Sequence, residues 1–354
     1  MKGIILHGGH GTRLRPLTHT GPKQLLPIAN KPMSQYCVES LRDAGITDIA
    51  IIIGGAGSNK VQEYYGAGEK FGVKLSYISQ DAPRGIAHAI RLCKEFVNGE
   101  KFVVFLGDNI LKKSIIEYVQ RFMSSDASAS ILLCEVNNPT QFGIADIENG
   151  VLTKIMEKPK NPPTNLAVTG IYLLTPIIFD IIDNLKPSWR NEYEITDALQ
   201  MLLQEQFKIT YDLVTDYWKD TGTPHDIIHA NQVILNDMKP YFDGKKENDS
   251  IPAIGNIMVG SGTTIRNGSK IIGPVIIGKN CDIGPNAHIG SNTSIGDNCK
   301  ISNCHIENSI IMSGCNISGD FIISDSIIAF NSEITKSDSH NKIFLLGEGT
   351  KISI

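Results

Sequence analysis

The 354-residue sequence has no apolar run of membrane-spanning length, no C-x-x-C pair and no block of basic residues. Each absence removes a class of protein. A spanning helix needs about 20 consecutive apolar residues, so no membrane partner is expected. The chain passes straight into Lys2-Gly-Ile-Ile-Leu6, too short and too early for a secretory signal, and a cytoplasmic location is expected. The seven cysteines (37, 93, 134, 281, 299, 304, 315) are odd in number and scattered, which disfavours a disulfide framework and a zinc site and fits a reducing compartment. Charge is nearly balanced at −4, so no nucleic-acid surface is expected. Two glycine motifs are missing as well. There is no G-x-G-x-x-G followed by a spaced acidic residue, and no G-x-x-x-x-G-K-[ST].

What is present is a different glycine loop. Gly3 to Leu6 is a short apolar run that reads as a buried strand, and it ends in His7-Gly8-Gly9-His10-Gly11. Backbone N–H groups freed of side chains there can point into one concavity and hold an anion. Arg13, Arg15 and Lys23 add positive charge, and Pro22 to Pro27 bounds the segment. The stretch reads as a strand end that cradles a polyphosphate.

From residue 1 to about 236, short apolar runs alternate with amphipathic ones. Strands are expected at 49–53, 74–78, 102–106 and 130–136, and helices at 33–44, 59–65, 85–96 and 114–123. That alternation predicts an α/β fold with an open, mostly parallel Rossmann-like sheet, whose ligands sit at the carboxyl ends of the strands. Gln80 follows the third strand, with Pro83 fixing the turn and Gly85 opening a helix. Its amide offers a donor and an acceptor, which suits the imide edge of uracil or thymine, although a surface glutamine is the plain alternative. Gly107-Asp108-Asn109 ends the next apolar strand, where a carboxylate needs a partner or a metal. Mg²⁺ commonly takes one or two carboxylates together with phosphate oxygens, and Asp220 is the second candidate; a cap is the alternative for each. Glu157 and Lys158 end another strand and read either as ligands of sugar hydroxyls and phosphate or as an exposed ion pair. Glu194 and Thr196 lie where a helix opens, and for Glu194 capping and a substrate role both remain open.

A helix from about 224, with Pro224 at its start, closes this domain, and the polar residues 237–253 read as a linker. The pattern then changes. Ile265, Ile271, Ile277, Ile283, Ile289, Ile295 and Ile301 recur every six residues, after which the register slips to Ile306, Ile311, Ile317, Ile323, Ile328 and Ile334. Hexads of this kind predict a parallel β-helix over 254–354. His288 and His305 fall within it and are expected at turn or groove positions.

Taken together, Leu6 to Thr18, Pro22 to Pro32, Gln80 to Ala89, Leu106 to Asn109, Glu157 to Pro159, Val168 to Gly170, Glu194 to Asp197 and Trp218 to Gly222 resemble the sugar-1-phosphate nucleotidylyltransferases, in the long form that carries a C-terminal left-handed β-helix. The resemblance spans nearly the whole chain. It implies a Mg²⁺-dependent reaction of dTTP, or UTP, with a sugar 1-phosphate such as glucose 1-phosphate, giving a nucleoside-diphosphate sugar and pyrophosphate. Residues 1–236 would be the nucleotidyltransferase domain. By resemblance Leu6, Gly8, Gly9, Gly11, Thr12, Arg13, Gln80, Pro83, Gly85 and Asp108 bind the nucleotide. Asn109, Gly143, Glu157, Lys158, Thr169 and Gly170 bind the sugar phosphate. Arg13, Lys23, Asp108 and Lys158 are the catalytic set, and Asp108 and Asp220 hold the metal. A homo-oligomer is implied too.

The sequence departs from the family pattern at His7, where a small residue is usual, and at His10, where Ser or Thr is usual. The bulk of His7 is expected to narrow the nucleoside pocket. An acetyltransferase activity in the solenoid would need a catalytic base and usually more coils. A regulatory subunit without catalysis would be expected to have lost Arg13 or a metal aspartate, and this chain keeps them.

Overall fold

The computed structural model of the chain describes residues 1–9, 11–55 and 57–336. The chain divides into two compact units, the first built from 1–12, 18–25 and 33–220 and the second from 13–17, 26–32 and 221 onward. The expected boundary at 236 therefore lies inside the second unit, because the helix from 224 and the segment 26–32 pack with the solenoid.

In the first unit the elements in chain order are β1 (Lys2–Leu6), α1 (Met33–Asp43), β2 (Asp48–Ile53), α2 (Asn59–Tyr65), β3 (Lys74–Ser79), α3 (Ile86–Arg91) and β4 (Phe102–Leu106). They are followed by β5 (Asn109–Leu111), α4 (Ile116–Ser124), β6 (Ala129–Glu135), β7 (Gly143–Glu148), β8 (Val151–Glu157), β9 (Leu166–Leu174), α5 (Ile177–Asp183), α6 (Ile195–Gln204), β10 (Ile209–Leu213) and β11 (Trp218–Asp220). The expected strands and helices up to residue 136 all form, with ends moved by a residue or two; the helix expected over 85–96 is interrupted at 92–93.

β1 is central, flanked in parallel by β2 and β4, with β3 beyond β2. Its residues alternate between two cores. Ile4 and Leu6 point into one and Ile5 into the other, all buried, as a doubly covered parallel strand requires. Beyond β4 the sheet turns antiparallel through β9, which pairs with β4, β6 and β7. The β9–β6 register breaks between Val168 and Tyr172, so Thr169 and Gly170 leave the ladder where the strand passes the site. β5 and β11 form a separate antiparallel ribbon that sets Asp220 opposite Asn109.

The second unit carries a parallel β-helix of three sheets, as the hexads predict, in the left-handed form that the resemblance implies. Ile265, Ile283, Ile301, Ile317 and Ile334 form one inward row, and Ile271, Ile289, Ile306 and Ile323 another. The slip after Ile301 is a shortening of single edges from six residues to five, at 301–306, 306–311 and 323–328, and the isoleucines still point inward. Asn280, Asn286, Asn292 and Asn298 occupy the corners with left-handed backbone, which asparagine tolerates better than other residues with a Cβ. Cys281, Cys299 and Cys315 lie buried in successive coils, each thiol donating to a carbonyl of the next coil: Gly296 at 3.1 Å, Met312 at 3.3 Å and Ala329 at 3.1 Å.

The expected linker is the first coil. Tyr241–Phe242, Lys245–Lys246 and Ala253–Ile254 pair with the coil that follows. It hides from a hexad reading because Lys246 takes the register position that Ile265 and Ile283 hold in later coils. Its ammonium is satisfied by the Ile251 carbonyl at 3.1 Å.

Helix α7 (Pro224–Asp237) starts at a capping box between Thr223 and Asp226. Its fully buried Asn231 accepts from the Ala29 N–H at 2.8 Å and from Ser294 Oγ at 2.6 Å, and donates to the Asn292 carbonyl at 3.2 Å. One side chain thus ties α7 to the 27–32 hairpin and to the solenoid. The described part of the β-helix reaches residue 336; the remainder of the expected 254–354 lies outside the described residues. No described helix is long and apolar enough to cross a membrane.

Candidate active site

The site is built at the carboxyl end of β1 and its neighbours. Gly9 and Gly11 have φ of 95° and 58°, left-handed values that glycine adopts at little strain. The Gly8 carbonyl accepts from Gln24 Nε2 at 3.1 Å and that of Gly11 from Thr18 Oγ1 at 2.8 Å. With these carbonyls tied back, the loop is shaped by residues outside the glycine motif. The Leu6 side chain is buried in the core, and its carbonyl accepts from the Gly107 N–H at 3.0 Å. Gly107 fits there because a Cβ would press on that carbonyl and on His7.

His7 is 2 % exposed, and neither ring nitrogen has a hydrogen-bond partner among the described residues. Burial drives its pKa down to about 3, against the attraction of Asp108, so the ring is neutral at pH 7. His10 lies outside the described residues.

Lys23 pairs with Asp108, and Asn109 Nδ2 donates to the other Asp108 oxygen at 3.0 Å. Burial works against ionisation of Asp108, but the Lys23 ammonium and these hydrogen bonds outweigh it and hold the carboxyl below its ordinary range. Asn109 is a buried junction. Its Oδ1 accepts from Trp218 Nε1 at 2.7 Å and from the Gly170 N–H at 3.2 Å. The bulge in β9 and the β5–β11 ribbon therefore meet at one amide that orients Asp108, and the Asn109 amide is engaged by protein groups.

The expected sugar-side residues also gather. A Cβ on Gly143 would meet Thr196 and lie 3.4 Å from Glu157 Oε2, and Thr196 Oγ1 donates to that oxygen at 2.9 Å. Lys158 has φ 41°, and this left-handed turn brings its Nζ to 3.7 Å from Glu157 Oε1, whereas continued strand would have sent neighbouring side chains to opposite faces. Glu157 is pushed up by burial, against the Thr196 hydrogen bond and the Lys158 and Arg190 charges. Glu194 stands at the α6 N-cap position but makes no cap; its carboxylate accepts from Ser188 Oγ at 2.9 Å and lies 3.4 Å from Arg190. Arg190, Gln24 and the Trp218 indole contact the expected site residues, Glu157, the Gly8 carbonyl and Asn109 respectively, and sequence spacing did not reveal these contacts. Thr169 is fully buried beside Gly170, whereas Thr12 and Pro83 are exposed.

Gly85, at φ 103°, is demanded by the chain itself. A Cβ there would strike the Tyr193 backbone, which brackets the turn through Tyr193 N–H to the Arg84 carbonyl and Ala87 N–H to the Tyr193 carbonyl. Arg13 belongs to the second unit, where its guanidinium lies over Gly222.

Among the described residues no group of three or more His, Cys, Asp or Glu could hold a metal. Two carboxylates, Asp108 and Asp220, flank the Asn109 rung. This donor set fits Mg²⁺ only as a shared ligand, with phosphate oxygens completing its shell.

The nucleotidyl transferase family model matches residues 2–237, and a second model, described as the GMPPB C-terminal domain, matches 271–353. The chain belongs to the nucleotidyl transferase family. Over 358 residues it is 43% identical to the low-salt glycan biosynthesis nucleotidyltransferase of Haloferax volcanii, with 100% of each chain covered. It is 38% identical to a glucose-1-phosphate thymidylyltransferase of Streptomyces antibioticus, over 100% of this chain and 99% of that one. The crystal structure of a putative glucose-1-phosphate thymidylyltransferase from Bacillus anthracis, in complex with a sucrose, covers 69% of this chain and 98% of its own at 42% identity and a TM-score of 0.64. This chain is thus an enzyme of the nucleotidyl transferase family, and its likeness to the Haloferax and Streptomyces relatives runs along its full length.

Proposed function

We propose that the chain joins dTTP to glucose 1-phosphate, releasing pyrophosphate and dTDP-glucose. The observation that carries the reading is the Lys23–Asp108–Asn109 junction at the mouth of the glycine loop, in a chain similar end to end to a named thymidylyltransferase. The loop N–H groups and Arg13 take the triphosphate, and Arg13 offsets the charge that develops on pyrophosphate. Lys23 neutralises the α-phosphoryl group. Glu157 and Thr196 bind the sugar hydroxyls, and Lys158 holds the sugar phosphate so that its oxygen meets the α-phosphorus in line with the departing oxygen. No covalent intermediate on the protein is needed, since positioning and charge stabilisation suffice. Mg²⁺, held by Asp108, Asp220 and phosphate oxygens, would supply further charge neutralisation. Self-association of the chain is part of the same reading.

The test is pyrophosphate release with Mg²⁺, dTTP or UTP crossed with glucose 1-phosphate or N-acetylglucosamine 1-phosphate, beside Asp108→Asn. Release that needs both substrates, is fastest with dTTP and glucose 1-phosphate, and is lost in the variant is the expected result. A best pair containing UTP would replace the product named here, and no release with any pair would overturn the reading.

A further inference from the structure

Gln80 follows β3 at the rim of the glycine loop and is buried, so whatever its amide faces is decided by few neighbours. Its Nε2 lies 2.9 Å from Nδ1 of His88, on α3. An amide nitrogen only donates, so Nδ1 accepts and the ring carries its proton on Nε2. The arrangement also fixes the other end of the amide. Oε1 is turned toward the loop, 3.6 Å from where a Cβ on Gly8 would lie. The His88 ring is in turn stacked on Tyr193 at 6.3 Å and 30°, from the segment whose backbone brackets Gly85.

We infer that His88 is the positioning residue that sets the donor–acceptor polarity of Gln80, and thereby makes the site select a pyrimidine dione over an aminopyrimidine. This rests on the reading of Gln80 as the group that meets the base. With Nε2 committed to His88, Gln80 presents Oε1 as an acceptor beside one remaining N–H. A thymine or uracil edge offers N3–H flanked by carbonyls, and the two patterns complement each other. Cytosine offers an N3 acceptor beside an amino donor, and it would meet acceptor with acceptor. A flipped amide would reverse that preference, and the flip is what a donor at His88 Nδ1 demands.

Protonation of His88 supplies such a donor. Burial lowers its pKa from 6.5, and Arg84 lowers it further. The charged groups around it are Arg84, paired with Asp81 at 2.7 Å, and Arg91, paired with Asp183 at 2.8 Å across to α5; Tyr193 faces it from the segment before α6. The correct polarity therefore holds at neutral pH and is lost on acidification below the ordinary histidine range.

The experiment compares kcat/KM for dTTP and dCTP, with the sugar phosphate saturating, in wild type, His88→Phe and His88→Gln. Phenylalanine keeps a ring against Tyr193 but cannot accept, whereas glutamine can accept through its own oxygen. The expected result is that His88→Phe lowers the dTTP:dCTP ratio about 10-fold or more, as one misdirected buried hydrogen bond allows. KM for the sugar phosphate stays unchanged, and His88→Gln restores the ratio. Between pH 7 and 5 the ratio falls in wild type and stays flat in His88→Gln. An active wild type whose ratio is the same in His88→Phe, or whose pH profile persists in His88→Gln, overturns the inference. A wild type inactive with every nucleotide overturns instead the function on which it rests. Calorimetric titration of dTTP and dCTP into each protein gives the same comparison without turnover.

Discussion

Loss of stability in acid is the direct consequence of the neutral imidazole of His7, which has no hydrogen-bond partner among the described residues. Its folded pKa of about 3 lies below the 6.5 of an exposed histidine. Above pH 6.5 neither state binds this proton. As pH falls from 6.5 toward 3, the unfolded chain takes it up and the native state does not, so stability drops by about 1.4 kcal/mol per pH unit. By pH 5 the loss from this one residue is about 2 kcal/mol, a sizeable share of a typical domain's stability. The readout is local to the right unit, because both tryptophans, Trp189 and Trp218, belong to the first unit and Trp218 is buried. Urea denaturation followed by tryptophan emission at pH 7 and pH 5 is therefore compared for wild type, His7→Leu and His7→Ser. The variants differ in absolute stability, but each removes the His7 share of the pH slope. Equal losses in wild type and both variants between pH 7 and 5 would refute the reasoning, since they would mean that the ring can hold its proton in the folded site.

Further outcomes follow from the same geometry. Lys23→Met is expected to reduce kcat by about 10²-fold or more, because the proposed function assigns its charge to the reacting phosphate; a steady-state assay that finds kcat within a factor of three of wild type would remove Lys23 from the proposed catalytic set. Asn231→Leu leaves the Ala29 N–H, the Asn292 carbonyl and the Ser294 hydroxyl without their partner, and should destabilise the second unit by about 2–4 kcal/mol in calorimetry. Ile283→Ala empties one place in a fully buried stack, with an expected cost of about 2–5 kcal/mol and little change in KM for either substrate.

The alternation of β1, α1, β2 and the elements after it was legible because each strand is a continuous apolar run, and the β-helix because isoleucine marks every edge. The placement of the glycine loop, Asp108 and the Glu157–Lys158 pair at strand ends was legible for a related reason: polar residues and glycines there stand out against apolar runs. Less could be read where a polar residue does a structural task. Lys246 replaces an inward isoleucine, so the first coil looked like a linker. The amide of Asn109 is engaged by its neighbour Asp108 and by Trp218 and Gly170 from two other stretches of chain, contacts that no local pattern encodes. Gln24 and Arg190 act through contacts that no spacing encodes. Gly85 stands among the residues expected at the nucleotide, and the Tyr193 backbone independently requires a glycine there, a demand that only the folded chain reveals.

The buried thiols of Cys281, Cys299 and Cys315 mark three successive coils with a native chemical tag. A reagent can reach them only when neighbouring coils part, so their labelling rates report the free energy of local opening rather than of global unfolding. A solenoid held by nearest-neighbour contacts has no need to open all at once. The order in which the three sulfurs become reactive in rising denaturant would therefore show the direction in which the stack unzips, with no label introduced into the protein.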